Sequence, residues 1–241
     1  MFLDSAELYD TIYHFKDYAR ECKRLTNIIE EVMPGARTIL DVACGTGEHA
    51  KFLKENYAVD GIDLNECYLR AARIKNPAGN YNRADMTDFA LGLSYDVVTC
   101  LFSAIGIVGT YERLERAIAC MARHVRSGGV LIVEPWFTPD QWHPGRTFVL
   151  VGEVESDKVY RVGSSSKQRQ HSVLRYHYLR CRPDGVEHHW ERIELGLFTR
   201  DEMTWALEFA GMQVQYDPQG LMGRGIYVAR HAPAIFPNVH L

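Results

Sequence analysis

Thr38-Ile39-Leu40-Asp41-Val42-Ala43-Cys44-Gly45-Thr46-Gly47 is the stretch from which the rest of the chain can be read. Its first half is a short apolar run of the kind that forms a buried strand. Gly45 and Gly47 then bracket Thr46, and glycine opens backbone angles closed to other residues and lets a ligand approach the chain. Glu48 to Asn56 follows with helical spacing. Strand, glycine turn and helix in that order place a ligand site at the end of the strand.

Outward from this stretch, helices and strands alternate. Upstream, helical spacing runs from Tyr18 to Met33 and stops at Pro34-Gly35. Downstream come a strand Ala58–Ile62 ending at Asp63, a helix Glu66–Lys75 and a weak strand Asn80–Ala84 ending at Asp85. An apolar strand Asp96–Phe102 and a helix Tyr111–Arg123 follow. Ser127-Gly128-Gly129 then reads as a turn into a fifth strand, Val130–Val133. The pattern implies parallel β-α units in a Rossmann-like α/β sheet. After Glu134 it breaks. Residues 146 to 198 are extended and rich in Val, Tyr and His, with a tight turn at Pro183-Asp184-Gly185, which is an antiparallel β insertion. Thr199, with Glu202 three residues on, caps a last helix, Asp201–Ala210. Met212–Tyr216 and Ile226–Ala229 are final strands that complete the core sheet. The domain reading is therefore a core over 1–134, the insertion over 135–198, a closing helix and strands over 199–230, and a tail over 231–241 containing Pro233 and Pro237.

Asp41, Asp63 and Asp85 stand at the ends of three successive strands. The glycine loop also fits the dinucleotide pattern G-x-G-x-x-A through Gly45, Gly47 and Ala50, and alone it does not separate cofactors. The acids do. Asp41 just before the loop would repel a pyrophosphate but suits the ammonium of a methionyl group. Asp63 can accept both hydroxyls of a ribose. Asp85 can accept an adenine amine, with Met86 presenting backbone to the ring. That set describes S-adenosylmethionine (SAM) rather than NAD, with Ala43, Gly45 and Gly47 in the loop around it.

Composition excludes other classes. The chain has 241 residues, 46% hydrophobic, and a formal net charge of -4 without a basic run, so nucleic acid is not an expected partner. Apolar stretches of five to eight residues fall far short of the ~20 that span a bilayer. The start Met1-Phe2-Leu3-Asp4 has no signal-peptide pattern, and Cys22, Cys44, Cys67, Cys100, Cys120 and Cys181 form no C-x-x-C pair. A cytoplasmic protein without a metal site is expected.

Leu40–Gly47, Gly61-Ile62-Asp63-Leu64, Ala84-Asp85-Met86 and Gly128-Gly129 together resemble the class I SAM-dependent methyltransferases. A closer resemblance covers most of the chain. It rests on Glu7-Leu8-Tyr9-Asp10, Lys16-Asp17-Tyr18, Asp85 to Phe89, Phe102-Ser103-Ala104-Ile105-Gly106, Val133-Glu134-Pro135-Trp136-Phe137 and Gly223-Arg224-Gly225-Ile226-Tyr227-Val228. These segments are similar to the N,N-dimethyltransferases of nucleotide-linked 3-amino-deoxysugars, the desosamine and mycaminose type of antibiotic biosynthesis. The resemblance implies that Tyr9 and Tyr18 close over the methionyl end and that Asp63 with Leu64 and Asp85 with Met86 hold the nucleoside. It implies that Leu101, Phe102 and Ser103 line the methyl donor. Trp136 and the insertion would wall the acceptor pocket, and Arg224 would contact a diphosphate. Two departures stand out. Ile107 occupies a position where some members have His, and Phe2 is the nearest aromatic to a Tyr that some carry before the first helix.

Methyl transfer from a sulfonium depends mainly on alignment. Proximity and orientation supply ~7–11 kcal/mol, whereas a general base supplies about 3–5 kcal/mol. Positioning is thus the expected mode of catalysis. Tyr9, Ser103 and His143 are the candidate catalytic groups; His171, His177, His188 and His189 in the insertion also fit surface strand positions. Methylation of another small molecule at N or O, and a SAM-binding protein without catalysis, remain alternatives, and the insertion is a candidate homodimer surface.

Overall fold

The computed structural model describes residues 6–154 and 157–231. Phe2 and the tail residues Pro233 and Pro237 lie outside them. Two helices, α1 (Ala6–Ile12) and α2 (Tyr18–Val32), precede β1 (Thr38–Val42), α3 (Glu48–Leu53), β2 (Ala58–Asp63), α4 (Glu66–Lys75), β3 (Tyr81–Arg83), β4 (Tyr95–Cys100), α5 (Tyr111–Arg123) and β5 (Val125–Val133). Then come β6 (Thr147–Val154), β7 (Asp157–Gln168), β8 (His171–Arg182) and β9 (Gly185–Gly196). The chain closes with α6 (Arg200–Phe209), β10 (Met212–Asp217) and β11 (Ile226–His231).

The main sheet has the strand order 10-11-5-4-1-2-3. Strands β1 to β5 are mutually parallel, and β11 runs antiparallel to both β5 and β10. Side chains alternate between faces along each strand. Ile39, Val97, Val130 and Ile132 pack with Leu25, Ile29 and Leu53 on one side. Leu40, Val98, Leu131 and Val133 pack with Leu114, Ile118, Met121 and Leu207 on the other. This double burial is why the central strands are continuous apolar runs. The order reverses between β1 and β4, and the crevice at their carboxyl ends is where such sheets bind ligands.

The Rossmann-like sheet with an antiparallel insertion before the last helix and strands is the architecture expected. Strands β6 to β9 form a separate four-stranded antiparallel meander, and Arg182 pairs with Gly185 across the Pro183-Asp184 turn. The Thr199–Glu202 capping box is formed, with each side chain bonded to the other's backbone.

Two local readings are corrected. Ser127-Gly128-Gly129 is no turn before the fifth strand but a bulge inside β5: Tyr95 pairs with Val125, and Val97 already pairs with Val130. Gly128 takes φ +75°, and a Cβ on Gly129 would sit 2.7 Å from the Asp96 carbonyl oxygen, so the bulge needs both glycines. The fourth strand ends at Cys100 rather than Phe102, because Phe102 and Ser103 adopt φ +52° and +59°. Left-handed angles at non-glycine residues cost about 1–2 kcal/mol each and persist only where the surroundings impose them.

Candidate active site

At the carboxyl ends of β1 and β4 the chain encloses a cavity of about 860 Å³. Small-molecule sites span roughly 300–1,000 Å³, and the upper part of that range suits two ligands held together. The insertion forms the far wall.

The donor half is built by the glycine loop and the strand ends. Ala43, Gly45, Asp63, Leu64, Asp85, Met86, Leu101, Phe102 and Ser103 all line it. Asp63 Oδ2 accepts the Gly45 N–H at 2.9 Å, and Oδ1 accepts the Asn65 N–H at 2.8 Å. Each oxygen therefore keeps a lone pair for one ribose hydroxyl. Burial pushes the Asp63 carboxyl up, against the pull of these N–H donors. Asp85 Oδ1 accepts from the Thr87 N–H and hydroxyl, both at 2.8 Å, while Oδ2 lies 3.4 Å from Arg113. Although burial opposes it, Thr87 and Arg113 hold the Asp85 carboxyl below its ordinary value. Leu64, 55% exposed, is an apolar side chain free to cover a bound base.

Helix α1 is pinned over the glycine loop. Asp10 accepts the Thr46 hydroxyl at 2.5 Å and pairs with Lys75 at 2.5 Å. One residue earlier, Tyr9 reaches the cavity wall, its ring 4.6 Å from that of Tyr13 and 5.0 Å from that of Tyr68. Burial, reinforced by the neighbouring phenols, holds the Tyr9 hydroxyl well above its ordinary value. It stays neutral, a hydrogen-bond donor and not a base. Ser103 is 1% exposed, and its hydroxyl donates to the Pro135 carbonyl at 2.6 Å. It shapes the turn, and its proton is committed to Pro135.

Four predicted site residues lie elsewhere. Tyr18 lines a separate cleft of about 240 Å³, where its ring packs edge-on against His49. Asp41 is 2% exposed behind the cavity and accepts the Thr99 hydroxyl at 2.9 Å. Burial pushes its carboxyl up to about 6. Gly47 begins α3 at φ +78°, and a Cβ there would meet Ala72 at 2.9 Å, so this glycine serves helix packing. His143 is exposed in the loop before β6 and does not line the cavity. His177 and His188 stack on each other on the exposed face of the insertion sheet, and His171 and His189 are likewise absent from the cavity wall.

The acceptor half holds Ile107, Trp136 and Arg224, as the resemblance implies. Ile107 is 43% exposed. The Trp136 indole donates to the buried Ser172 hydroxyl at 2.8 Å, which fixes the ring as wall between core and cavity. The Arg224 guanidinium sits 5.6 to 5.9 Å from the centres of Trp136, Phe102 and Phe137. Its Nε has no hydrogen-bond partner, and its nearest carboxylate oxygen, on Glu134, is 3.7 Å away. One terminal nitrogen donates to the weak acceptor Met222 Sδ at 3.2 Å, which leaves the rest of the fork for an anion.

Sequence reasoning missed Tyr13, Arg161 and Tyr176 in this wall. Arg161, 4% exposed, lies 4.7 Å from each of the two rings. Alternation along β7 shows that Arg161 shares a face with Val159 and Gly163, but nothing local says that this face meets the cavity.

Among the described residues, no three His, Cys, Asp or Glu side chains converge to hold a metal. No described helix is long and apolar enough to cross a membrane. Residues 39–129 match the family model of a methyltransferase domain. The chain is 39% identical over 228 residues to a dTDP-3-amino-3,6-dideoxy-alpha-D-glucopyranose N,N-dimethyltransferase of Streptomyces fradiae, covering 92% of this chain and 89% of the relative. It belongs to the dTDP-amino-sugar N,N-dimethyltransferase family. Its fold superposes on the crystal structure of Streptomyces venezuelae DesVI with a TM-score of 0.89 at 33% identity, covering 94% and 98% of the two chains. SAM-bound CalS10, an amino pentose methyltransferase from Micromonospora echinaspora, gives 0.85 at 32% identity, covering 93% and 97%. This family member is thus a class I, SAM-dependent N-methyltransferase. The residues present fit the cofactor: Asp63 retains acceptor capacity on both oxygens, and Gly45 and Ala43 leave the loop backbone open beside it.

Proposed function

We propose that this enzyme methylates the amine of a dTDP-linked amino-deoxysugar. The observation that carries the reading is Arg224, aimed into the acceptor half with an unpartnered Nε, in a chain of this family. Bound SAM supplies an activated methyl group. Asp63, Asp85 and the glycine loop hold the donor in one half, Trp136 and Arg224 orient the acceptor in the other, and the neutral Tyr9 closes the wall between α1 and the cavity. The histidine candidates stand outside, which favours alignment over a protein base, with the amine losing its proton to solvent. Six unpaired cysteines suit action in the cytoplasm.

A panel of dTDP-amino-deoxysugars with labelled SAM tests the acceptor; turnover of free small molecules but of no aminosugar refutes it. Arg224→Ala should weaken acceptor binding by ~1.5–3 kcal/mol, the worth of a charge-assisted hydrogen bond. Unchanged acceptor affinity would remove the diphosphate role.

The outer face of the insertion sheet supports a homodimer. Val149, Val162, His177 and Trp190 are direct neighbours across β6 to β9, with Val149 58% and Trp190 61% exposed. A sheet of three strands about 40 Å long and one of about 27 Å, spaced about 4.8 Å apart, offers roughly 700 Å². A standard interface buries about 800 Å² per partner. Light scattering should show a dimer for the wild type and a monomer for Val162→Glu/Trp190→Glu; an unchanged mass refutes this contact.

A further inference from the structure

Glu134, which opens the Glu-Pro-Trp segment, has no part in the scheme above, and its surroundings are unusual. It follows β5 directly and is fully buried at 0% exposure. Its own N–H donates to the Cys100 carbonyl at 2.9 Å, which locks the end of β5 to the end of β4. Its Oε2 accepts the Phe102 N–H at 2.6 Å. Phe102 and Ser103 are two consecutive left-handed residues that line the donor half, and the Ser103 hydroxyl is tied to Pro135, the residue after Glu134. The carboxylate therefore holds a strained turn from behind.

The other oxygen, Oε1, has no hydrogen-bond partner although it is buried. It faces Arg224 at 3.7 Å, and Arg224 likewise has an unpartnered, buried Nε. Buried polar atoms without partners are rare, and two of them on facing groups mark a contact that another partner completes. Lys16 adds a third charge: its ammonium lies 4.4 Å from the Phe102 ring centre and pairs with Glu21. One carboxylate thus touches the donor turn with one oxygen and the acceptor-facing cation with the other.

We propose that Glu134 is a positioning residue that couples the two halves of the cavity, linking the Phe102–Ser103 turn to the guanidinium of Arg224. The inference rests on the sugar-nucleotide reading of Arg224. When a diphosphate takes up the Arg224 charge, the Glu134 carboxylate is released from the cation and its charge strengthens the bond it already accepts from the Phe102 N–H, which firms the turn beneath the donor. The converse holds by linkage: a donor that fixes the turn favours diphosphate at Arg224 by the same factor.

Calorimetry on the full chain tests this with S-adenosylhomocysteine and dTDP as probes, each titrated with and without the other. In the wild type, saturating dTDP should tighten S-adenosylhomocysteine binding at least threefold. Glu134→Gln keeps an oxygen for the Phe102 N–H but removes the charge facing Arg224; the ratio should fall to one while both ligands still bind. A merely structural Glu134 would leave the ratio at its wild-type value, and that result overturns the proposal, as does a wild-type ratio of one. Arg224→Lys leaves Glu134 in place and retains a cation for dTDP, and it should also lower the ratio. A wild-type ratio in that variant overturns the proposal whether or not Glu134→Gln folds. If dTDP does not bind the wild type at all, the sugar-nucleotide reading falls and this inference with it; if dTDP binds and the ratio is one, only the coupling falls.

Discussion

Asp41→Asn should make this protein more stable near neutral pH. Asp41 is 2% exposed, with one hydrogen bond from Thr99. Burial is the main influence on its carboxyl; attraction from His49 and the Thr99 bond only partly offset it, Asp63 adds repulsion, and the group titrates at about 6. An unfolded aspartate titrates near 3.9. Between those two values the native state binds more protons than the unfolded one. Stability linked to this group is therefore fully present below about pH 4 and is lost as pH rises through 6. A gap of about two units corresponds to up to about 3 kcal/mol at pH 7 and above. Asparagine keeps the oxygen that accepts from Thr99 and removes the charge. Urea unfolding at pH 8 should then show the variant more stable than wild type by up to about 3 kcal/mol, with the two close to equal at pH 4. A gain below about 1 kcal/mol at pH 8, or the same gain at both pH values, would refute the argument that a buried charge is stored here.

Other consequences are equally direct. Asp63→Asn leaves one of the two N–H donors, from Gly45 or Asn65, facing an amide NH₂ and removes a charge-assisted acceptor, so SAM should bind about 10- to 100-fold more weakly by calorimetry. A loss under threefold would take Asp63 out of the ribose site. Gly47→Ala meets both a left-handed φ and a contact of 2.9 Å with Ala72, and should cost about 2 kcal/mol or more, seen as a fall in Tm of at least about 4 °C. A neutral result would show that α3 and α4 can separate without penalty. His143→Ala should leave kcat within about twofold, because the ring is exposed and off the cavity wall; a hundredfold loss would restore it as a base.

The sequence by itself determined most of the main sheet, because β1, β4 and the second half of β5 are continuous buried runs, and β1, β2 and the weak β3 lead into a glycine turn or an acid that local chemistry explains. It also determined the donor half, since Gly45, Asp63, Asp85 and Met86 sit at strand ends, and parallel topology carries strand ends to one crevice. It misplaced Asp41, which shares the sequence pattern of Asp63. Asp41 lies within β1, where strand pairing on both sides encloses it, while Asp63 closes β2 at the cavity edge. Tyr18 and Gly47 were misread for a similar reason: a ring or a glycine near a site carries no local sign of which way it faces. Tertiary structure decided how the acceptor half is completed. Arg161 and Tyr176 on the insertion, Tyr13 on the turn after α1 and Arg224 before β11 come from distant segments. Only the docking of the insertion sheet on α1 and on the short turn Ala104–Val108 brings them together. Periodicity assigns a residue to a face, but which two faces meet is set by packing between elements far apart in the chain.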